Sequence, residues 1–456
     1  MQQTSARSYA SQTLEQRMAA LQHLDQLRRI PPTELRILIE QAVLRAYEPA
    51  TTIILEGSAA HHLFLLLSGQ AEQSMRAGND AQITLALPQP GAIFGEGGLF
   101  GQRQRRTTVR SQTQVRVLQW RYDTLRTYQH VLPHTFALLE DTYREHLVYT
   151  TLAHVPQLAV LDADDRAIIA QQIHEHRFER GAEIVREGTP RSGVYIVAEG
   201  QVQVIYSDQT VAVLNPGAVL GEMSFVDNIL HEATIFALTP VHALEIPGPI
   251  FEQVLVQHHE VMEELRHLTE ERRAVDRSPA HIAITERLVE TGIIRGNMVL
   301  AKHIDRCEPG CHRCEAACTE RHEVSRLHFS GLTFDGWEVP DTCRHCRWGA
   351  ECAEVCPEDA FTVTEKGYLV ITDRCTGCGA CIDACPYDAI NQKPIYPTPQ
   401  NWIERLQFAM QAPEPARFKA NKCDACTGYS DHACISACPT GALQWIPIDE
   451  FYRSAE

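Results

Sequence analysis

Sixteen cysteines are gathered in the last third of this chain, and residues 1–306 contain none. They fall into four groups of four: Cys307, Cys311, Cys314 and Cys318; Cys343, Cys346, Cys352 and Cys356; Cys375, Cys378, Cys381 and Cys385; and Cys423, Cys426, Cys434 and Cys438. The third group reads CTGCGACIDACP, the C-x2-C-x2-C-x3-C-P spacing of 4Fe-4S ligation. Three thiolates on a tight loop can surround one cluster, and the fourth thiolate then reaches a different cluster.

Two other kinds of cysteine chemistry fit this segment less well. Structural zinc sites use separate C-x2-C pairs and give no reason for C-x2-C-x2-C triplets. A disulfide framework requires an oxidising compartment, and the start MQQTSARSYASQTLEQRM has neither a secretory signal nor a twin-arginine leader. We therefore expect iron-sulfur clusters and a cytoplasmic location.

About the last 150 residues resemble the four-cluster iron-sulfur electron-transfer subunits of bacterial oxidoreductases, such as those of molybdopterin reductases and hydrogenases. In that family the first cysteine group pairs with the fourth, and the second with the third. The resemblance implies four 4Fe-4S clusters with these ligand sets: Cys307, Cys311, Cys314 and Cys438; Cys318, Cys423, Cys426 and Cys434; Cys343, Cys346, Cys352 and Cys385; and Cys356, Cys375, Cys378 and Cys381. Two spacings differ from the family pattern, since group one opens C-x3-C and group four has seven residues before its third cysteine.

Two short segments between the cysteine groups carry their own patterns. Residues Phe361 to Thr364 and Tyr368 to Thr372 alternate or run apolar around a Glu-Lys-Gly turn, which predicts a β-hairpin. Between the third and fourth groups, Pro-rich ends bracket a predicted amphipathic helix near Trp402 to Met410. That helix either docks a partner or packs over a cluster.

The cysteine-free part contains one pattern twice, as short β-rich runs separated by Gly, Pro, Asn and Asp. Such runs predict small jelly-roll barrels. Both copies resemble the cyclic nucleotide-binding domain, the sensor domain of the catabolite activator protein family. The landmarks they share are Glu56-Gly57 and Glu187-Gly188, Gly69 and Gly200, and Gly95-Glu96 and Gly221-Glu222.

These patterns together predict a multidomain α+β protein. Two β jelly-roll cyclic nucleotide-binding barrels with flanking helices precede a ferredoxin-type polyferredoxin domain. The expected domains are a lead-in (1–23), cyclic nucleotide-binding domain 1 (24–152), cyclic nucleotide-binding domain 2 (153–276), a linker (277–300) and a four-cluster 4Fe-4S ferredoxin domain (301–456).

The first copy has the residue types that hold a cyclic phosphate. Backbone N–H groups and an arginine suit the phosphate, and a carboxylate can accept the ribose 2'-OH. The resemblance places Glu96 at the ribose position, Arg106 at the phosphate position and Thr107 beside the base, with Gly95, Gly97 and Gly98 allowing close backbone approach. Cyclic AMP or cyclic GMP is the expected ligand, although Glu96 and Arg106 would also fit an ordinary ion pair on an inherited barrel.

The second copy departs from this pattern. His231 replaces the arginine and Glu232 follows it, so a carboxylate would repel the phosphate. We expect the second barrel to bind no cyclic nucleotide, or to bind it weakly. The first copy also departs, because Ala50 stands where the family usually has glycine.

Apolar residues recur at three and four residue steps after the second barrel. They are Phe251, Val254, His258, Val261, Leu265, Leu268, Arg272 and Val275. This heptad pattern predicts one long helix over 251–275, matching the dimer helix of the activator family. The stripe either forms a homodimer seam or covers its own barrel.

The charge of the chain limits its partners. The formal net charge is −17, and residues 307–456 contribute 13 basic against 22 acidic residues. Both parts of the chain therefore repel polyanions, so nucleic acid and anionic membranes are poor partners. No run of about 18 apolar residues could span a bilayer.

We therefore expect a non-enzymatic electron-transfer component that relays single electrons through four 4Fe-4S clusters, regulated or positioned by its sensor domains. Catalysis would belong to a partner oxidoreductase subunit, such as a flavoprotein, molybdopterin enzyme or hydrogenase. One alternative is a signalling protein whose clusters sense oxygen or redox state. Another is that the barrels serve only as a docking or assembly scaffold.

Overall fold

The computed structural model describes most of the chain as two compact units. The described residues are 14–56, 58, 60–76, 82–100, 105–158, 161, 163–276, 278–296, 298–330, 332–334, 336–346, 349–364, 367–395, 417–448 and 450–451. One unit is Met1–Val202 with Leu214–Arg272, and the other is Gln203–Val213 with Arg273–Glu456. The landmark Gly57 and the helix predicted near Trp402 to Met410 lie outside the described residues.

The first barrel follows helices α1 (Leu14–Gln22) and α2 (Pro32–Gln41), which flank a 3₁₀ turn (Asp25–Arg29). Its strands are β1 (Val43–Tyr47), β2 (Thr52–Ile54), β3 (His62–Ser68), β4 (Ala71–Arg76), β5 (Gln82–Ala86), β6 (Ile93–Phe94), β7 (Thr108–Ser111) and β8 (Val115–Arg121). They form two antiparallel sheets with the orders β1-β8-β3-β6 and β2-β7-β4-β5. This is the predicted jelly-roll arrangement.

Strand β3 is apolar from Leu63 to Leu67 because residues on both of its faces are buried. Phe64 and Leu66 point into the barrel, where they pack with residues of the opposite sheet such as Val109. The alternate residues Leu63 and Leu65 pack against the flanking helices. Burial on both faces explains why this strand reads as a continuous apolar run.

The second barrel repeats this arrangement after helices α3 (Tyr122–Thr127), α4 (Pro133–His154) and α5 (Ala163–Gln172), with 3₁₀ turns at Gln129–Val131 and Pro156–Leu158. Its strands are β9 (His174–Phe178), β10 (Glu183–Val185), β11 (Gly193–Glu199), β12 (Val202–Tyr206), β13 (Gln209–Leu214), β14 (Val219–Leu220), β15 (Thr234–Ala237) and β16 (Val241–Pro247). Helix α6 (Glu222–Val226) precedes β15. One sheet has the order β14-β11-β16-β9.

The prediction of one long helix over 251–275 is wrong. The structure has two helices, α7 (Gly248–Gln257) and α8 (His259–Asp276). His258 separates them, because its backbone (φ −121°, ψ 84°) leaves the helical region and its imidazole lies 3.2 Å from Asp165 Oδ2. This break lets both Phe251 and Leu265 reach the core of the second barrel.

The apolar stripe covers its own barrel over much of its length. Phe251, Val254, Val261 and Leu265 are all buried in that core. These four residues therefore follow the second of the two alternatives considered for the stripe. The homodimer seam stays a prediction for the remainder of the stripe.

The second unit contains 3₁₀ turns at Ile293–Arg295 and Ile304–Arg306, and short helices and strands between the cysteine groups. Its elements are α9 (Pro279–Glu290), β17 (Met298–His303), α10 (Arg313–His322), β18 (Thr333–Phe334), β19 (Trp337–Glu338), α11 (Glu351–Glu354), β20 (Phe361–Val363), β21 (Leu369–Ile371), α12 (Ala380–Asp383), β22 (Ile390–Ile395), β23 (Arg417–Lys422), α13 (Ala433–Ser436) and β24 (Leu443–Pro447). Strands β18-β19-β17-β24 form one sheet, and β20-β21 and β22-β23 form hairpins. The β20-β21 pair confirms the predicted hairpin, with Phe361 opposite Ile371 and Gly367 at φ 81°.

The segment predicted as a linker, 277–300, is a packed part of this unit. It holds α9 and the start of β17. Leu288, Ile293 and Val299 are buried together with Phe334 and Phe451. Among the described residues, no helix combines the length and the apolar character that crossing a bilayer requires.

Gly200 turns the chain between β11 and β12 and should be intolerant of a side chain. Its φ is 87°, and a Cβ there would overlap the carbonyl oxygen of Pro240. Gly188 has a similar φ of 75° but nothing within 4 Å of its Cβ position. We expect Gly188→Ala to cost about 1–2 kcal/mol, the strain of the left-handed region alone, and Gly200→Ala to cost more.

Urea unfolding of the full chain followed by circular dichroism measures this difference. The two variants share the same backbone strain, so a lower midpoint for Gly200→Ala isolates the steric overlap. Equal midpoints for the two variants would show that the turn relaxes without cost.

Candidate functional site

Three antiparallel strand pairs bring the four cysteine groups together. In β17-β24, Lys302 lies opposite Leu443, so the chain leading into group one runs beside the chain leaving group four. The β20-β21 hairpin joins the end of group two to the start of group three. In β22-β23, Ile390 lies opposite Lys422, which places the end of group three beside the start of group four. These pairings make ligand sets that cross between groups geometrically possible.

Short helices fix the third cysteine of each later group. Cys352, Cys381 and Cys434 lie in α11, α12 and α13, and the fourth cysteine follows each helix. Group one differs, because Cys314 and Cys318 both lie on the ten-residue helix α10. They are one turn apart on that helix and share a face.

The thiols lie in four sets whose members are close enough for one member's charge to raise another's pKa. Burial is the largest cause of each shift, followed by the neighbouring thiols or nearby cations. The sets are Cys307, Cys311 and Cys438; Cys318, Cys423, Cys426 and Cys434; Cys343, Cys346, Cys352 and Cys385; and Cys356, Cys375, Cys378 and Cys381. Cys314 packs with Cys318, Cys434 and Cys438 in one apolar group. Apart from Cys314, which packs with cysteines of two sets, these groupings match the sets implied by the resemblance, and their role as iron ligands stays a prediction.

The set around Cys381 surrounds an open space. A cavity with about 320 Å³ of empty volume, part of it open to solvent, is lined by Cys356, Cys375, Cys378 and Cys381. Gly377 in this loop has φ 77°, and a Cβ there would overlap the carbonyl oxygen of Phe418. Glycine therefore lets the cysteine loop lie flat against β23.

The sets have the chemistry that an iron-sulfur cluster requires. Burial and neighbouring thiols raise the pKa of Cys434 to about 12, so a negative charge there needs a strong cation. Iron supplies that positive charge when a cluster binds. The backbone adds N–H donors to individual sulfurs, from Arg326 to Cys318 Sγ at 3.3 Å and from Ala420 to Cys375 Sγ at 3.4 Å.

A site for a single metal ion differs from a site for a four-iron cluster. Within the described part of the chain, no three His, Cys, Asp or Glu side chains converge tightly enough to hold one metal ion. A tetrahedral zinc site holds its thiolates about 2.3 Å from the metal, whereas a four-iron cluster spreads its thiolates further apart.

The four sets follow one another in space. Cys314 of the first set packs with Cys318 and Cys434 of the second. Cys423 of the second set lies close enough to Cys343 of the third for a charge on Cys343 to raise the pKa of Cys423. Cys352 of the third set has the same relation to Cys381 of the fourth. All sixteen cysteines are among the described residues, and Cys378 of the fourth set alone is exposed.

The first barrel contains a second candidate site. A cavity with about 500 Å³ of empty volume, again partly open to solvent, lies between the strands and helix α4. All of the predicted nucleotide-binding residues line it: Gly95, Glu96, Gly97, Gly98, Arg106 and Thr107. Four residues of α4, spaced as one face of a helix, close the other side: Tyr143, His146, Leu147 and Thr150.

Arg106 uses its guanidinium for contacts within the protein. Nη1 donates to the carbonyl oxygen of Ala198 on β11 at 3.2 Å, and Nη2 donates to Thr151 Oγ1 on α4 at 3.1 Å. Burial lowers the pKa of Arg106. The predicted phosphate-binding arginine thus links the first barrel to α4 and to the second barrel.

The preceding arginine is not a substitute for it. Arg105 donates to Gly95 O at 2.8 Å, to His62 O at 2.6 Å and to Tyr122 Oη at 2.8 Å. These contacts hold the turn that carries Glu96. Arg105 therefore supports the backbone that forms one wall of the cavity.

Glu96 has one partner and one unpartnered oxygen. His146 Nδ1 lies 2.9 Å from Glu96 Oε1, while Glu96 Oε2 is buried without a hydrogen-bond partner among the described residues. A buried carboxylate oxygen without a partner is costly and suits a ligand hydroxyl. The sequence analysis missed His146, because nothing local in the sequence marks a contact 50 residues away.

In the second barrel the corresponding glutamate is paired with an arginine in place of a histidine. Arg272 Nη1 of α8 lies 2.5 Å from Glu222 Oε1, and this pair is again 50 residues apart. Arg272 also donates to Val219 O at 2.9 Å. The carboxylate at the ribose position is thus already occupied by an arginine, which supports the expectation of weak or absent nucleotide binding there. Binding at either barrel stays a prediction.

Two other sequence features have clear positions. His231 is buried, and its backbone N–H donates to Thr189 O at 3.1 Å. Ala50 adopts φ 63°, in the left-handed region where glycine is favoured. The unusual alanine is therefore accommodated with backbone strain.

Comparison with known proteins identifies both parts of the chain. A model of the cyclic nucleotide-binding domain matches residues 44–129 and 175–258, and a model of the 4Fe-4S binding domain matches residues 368–391. The electron transport protein HydN of Escherichia coli (strain K12) is 35% identical over 150 residues, which are 29% of this chain and 79% of HydN. Formate hydrogenlyase subunit 2 of the same organism is 32% identical over 162 residues, which are 32% of this chain and 79% of that subunit.

A solved structure resembles the barrels. The regulatory domain of Toxoplasma gondii PKA with cAMP is 22% identical, and the match covers 57% of this chain and 97% of that chain with a TM-score of 0.27. A likeness of this size carries no argument about the ligand.

The contact between Glu96 and His146 should make stability depend on pH. Burial lowers the pKa of His146, but the hydrogen bond and charge of Glu96 outweigh this, so its pKa is raised. A raised histidine pKa gives stability that is fully present below the unfolded value of about 6.5 and is lost as pH rises through the folded value. We expect His146→Gln to destabilise the chain more at about pH 5.5 than at about pH 8.5.

Urea midpoints of wild type and variant at the two pH values measure this. His130→Gln, which removes an exposed histidine, controls for loss of a histidine as such. A destabilisation that is the same at both pH values would show that the contact involves no change in protonation.

Proposed function

Because the chain belongs to the family of iron-sulfur electron transport proteins that includes HydN, we propose that it carries four 4Fe-4S clusters and passes single electrons between oxidoreductase subunits. The observation that supports this most directly is the assembly of the cysteines into four sets that each draw on more than one sequence group. The matched family model covers only the third group, so the other three sets rest on the geometry.

Each proposed cluster would be bound by one of these sets of cysteines. The proposed ligands are Cys307, Cys311, Cys314 and Cys438; Cys318, Cys423, Cys426 and Cys434; Cys343, Cys346, Cys352 and Cys385; and Cys356, Cys375, Cys378 and Cys381. Clusters bound by four thiolates each supply reversible one-electron chemistry. The chain's own residues hold the thiolates in place, exclude water from the seven that are buried and donate hydrogen bonds to some of their sulfurs.

The partner is an oxidoreductase. One relative is named as a formate hydrogenlyase subunit, and we propose a partner of the hydrogenase, molybdopterin or flavoprotein type that performs the catalysis. The net charge of −17 favours a partner with a basic docking surface. The exposed Cys378 marks the fourth set as the place where a partner can approach most closely.

The first barrel is proposed to bind a cyclic nucleotide that regulates the electron-transfer unit. The cavity holds an unpartnered acidic acceptor, glycine-rich backbone and Arg106 on one side. Thr107 lies on the same wall, where its hydroxyl accepts a hydrogen bond from Gln73 Nε2 at 3.1 Å. These are the groups that a sugar hydroxyl, a phosphate and a base would contact.

The exposed Cys378 also favours a second candidate function, redox sensing, because a cluster at an exposed thiolate is open to oxidants. Loss of this one cluster in air, together with a change in oligomeric state, would support sensing. Equal survival of all four clusters would support electron transfer alone.

Double cysteine substitutions distinguish crossed ligand sets from sets made of consecutive cysteines. Cys307→Ser with Cys438→Ser removes two ligands of one crossed set, so about a quarter of the iron should be lost. Cys434→Ser with Cys438→Ser touches two crossed sets, so about half should be lost. Iron and acid-labile sulfide, measured per chain after anaerobic purification, give the result.

Consecutive ligand sets would reverse the two outcomes. Wild-type protein that is colourless, or that carries zinc in place of iron and sulfide, would remove the electron-transfer proposal.

Calorimetric titration with cyclic AMP and cyclic GMP tests the first barrel. We expect heat of binding from wild type and a loss of at least about tenfold in affinity for Arg106→Leu, since a charge-assisted phosphate contact is worth about 1.5–3 kcal/mol. Arg272→Met, which opens only the second barrel, should leave that binding unchanged. If neither nucleotide gives heat of binding with wild type, the nucleotide proposal is contradicted. The alternative that the barrels serve only as a docking or assembly scaffold would then be favoured.

A further inference from the structure

A lysine lies buried among the cysteine sets. Lys422 is the last residue of β23 and is only 3% exposed. Its Nζ lies 3.2 Å from Cys343 Sγ and 3.0 Å from the carbonyl oxygen of Cys423, and it also donates to Leu369 O. An ammonium group has three donors, so these three acceptors satisfy it fully.

The position of Lys422 is the junction between two sets. Cys343 belongs to the third set, and Cys423 belongs to the second. These two cysteines are near enough for Cys343 to raise the pKa of Cys423. A single side chain therefore contacts a ligand residue on each side of the boundary between the two sets.

Strand pairing explains how the lysine reaches this place. Lys422 lies opposite Ile390 in the β22-β23 hairpin, and its backbone continues directly into group four. Its side chain reaches β21 at Leu369 and group two at Cys343. The contact thus joins groups two and four, which are 79 residues apart at Lys422 and Cys343.

We propose that Lys422 is a positioning residue that raises the reduction potential of the cluster held by the third set and keeps it close to that of the second. This inference rests on the proposed cluster sites. Reduction adds one electron, and so one negative charge, to the group held by Cys343, with no proton taken up and no bond made or broken. A fixed positive charge within hydrogen-bond distance of the sulfur, in a poorly hydrated interior, favours the reduced form.

A purely structural role for Lys422 makes a different prediction. Such a lysine would support the fold by satisfying the carbonyl oxygens of Leu369 and Cys423, and its loss would alter stability without altering potentials. The contact with Cys343 Sγ is the feature that a structural role does not need. The reduction potential therefore separates the two roles.

The experiment is a redox titration of the anaerobic full chain followed by electron paramagnetic resonance. We expect Lys422→Met to lower the reduction equilibrium constant of one cluster at least tenfold, which is 59 mV for a one-electron couple. Lys422→Arg, which keeps the charge, should restore most of the potential. Lys419→Met is the matched control, because Lys419 lies on the same strand and its Nζ donates to the exposed Asp373 at 3.0 Å.

Each result decides between the roles. Unchanged potentials in Lys422→Met with full iron content would overturn the proposal, as would an equal shift in Lys419→Met. If Lys422→Met loses a cluster, Lys422→Gln replaces it, since glutamine retains a donor without charge and should show the same lowered potential. Loss of a cluster in both neutral variants, but not in Lys422→Arg, would assign Lys422 a structural role. Wild type without clusters would instead contradict the proposed function.

Discussion

The crowding of cysteine thiols in the interior is the constraint on which the second unit depends. Cys381 and Cys434 are buried beside other cysteines, and both effects raise the pKa, to about 11 for Cys381 and about 12 for Cys434. Thiols placed in this way gain nothing from packing that smaller apolar side chains could not supply. A strong positive charge would stabilise their thiolates. Iron would supply that charge in the proposed clusters, and the ammonium group of Lys422 lies 3.2 Å from one sulfur, that of Cys343.

Each barrel also buries a carboxylate that needs a partner, and a different residue type supplies that partner in each copy. The glutamate after the glycine that the two copies share is buried in both, and a residue 50 positions further along, on a helix, supplies its partner. In the second barrel that partner is the guanidinium of Arg272. In the first it is His146, a weaker and titratable base, and one oxygen of Glu96 stays without a partner. The two barrels thus differ in the residue that pairs with this glutamate. In the second barrel an arginine occupies the carboxylate, and in the first one carboxylate oxygen is available to a ligand.

The sequence predicted those features whose cause is local. Cysteine spacing predicted the cysteine loops, whereas the ligand sets, which join groups far apart in sequence, came from the resemblance to four-cluster iron-sulfur subunits. Alternation predicted β20 and β21. The contacts of Arg106, His146 and Lys422 could not be predicted, since each joins segments at least 45 residues apart. The break at His258 escaped detection for a similar reason, because it follows from a contact with Asp165 on α5.

Arg106 links the state of the first cavity to its surroundings. Its guanidinium holds α4 through Thr151 and the second barrel through the carbonyl oxygen of Ala198. A phosphate in the cavity would attract the same guanidinium more strongly than either neutral acceptor, because the phosphate carries a full negative charge. Withdrawal of Arg106 would leave Ala198 O and Thr151 Oγ1 without this donor, and would so weaken the contact between the barrels. Binding of a cyclic nucleotide at the first barrel, as proposed, would thereby be coupled to the packing of the second.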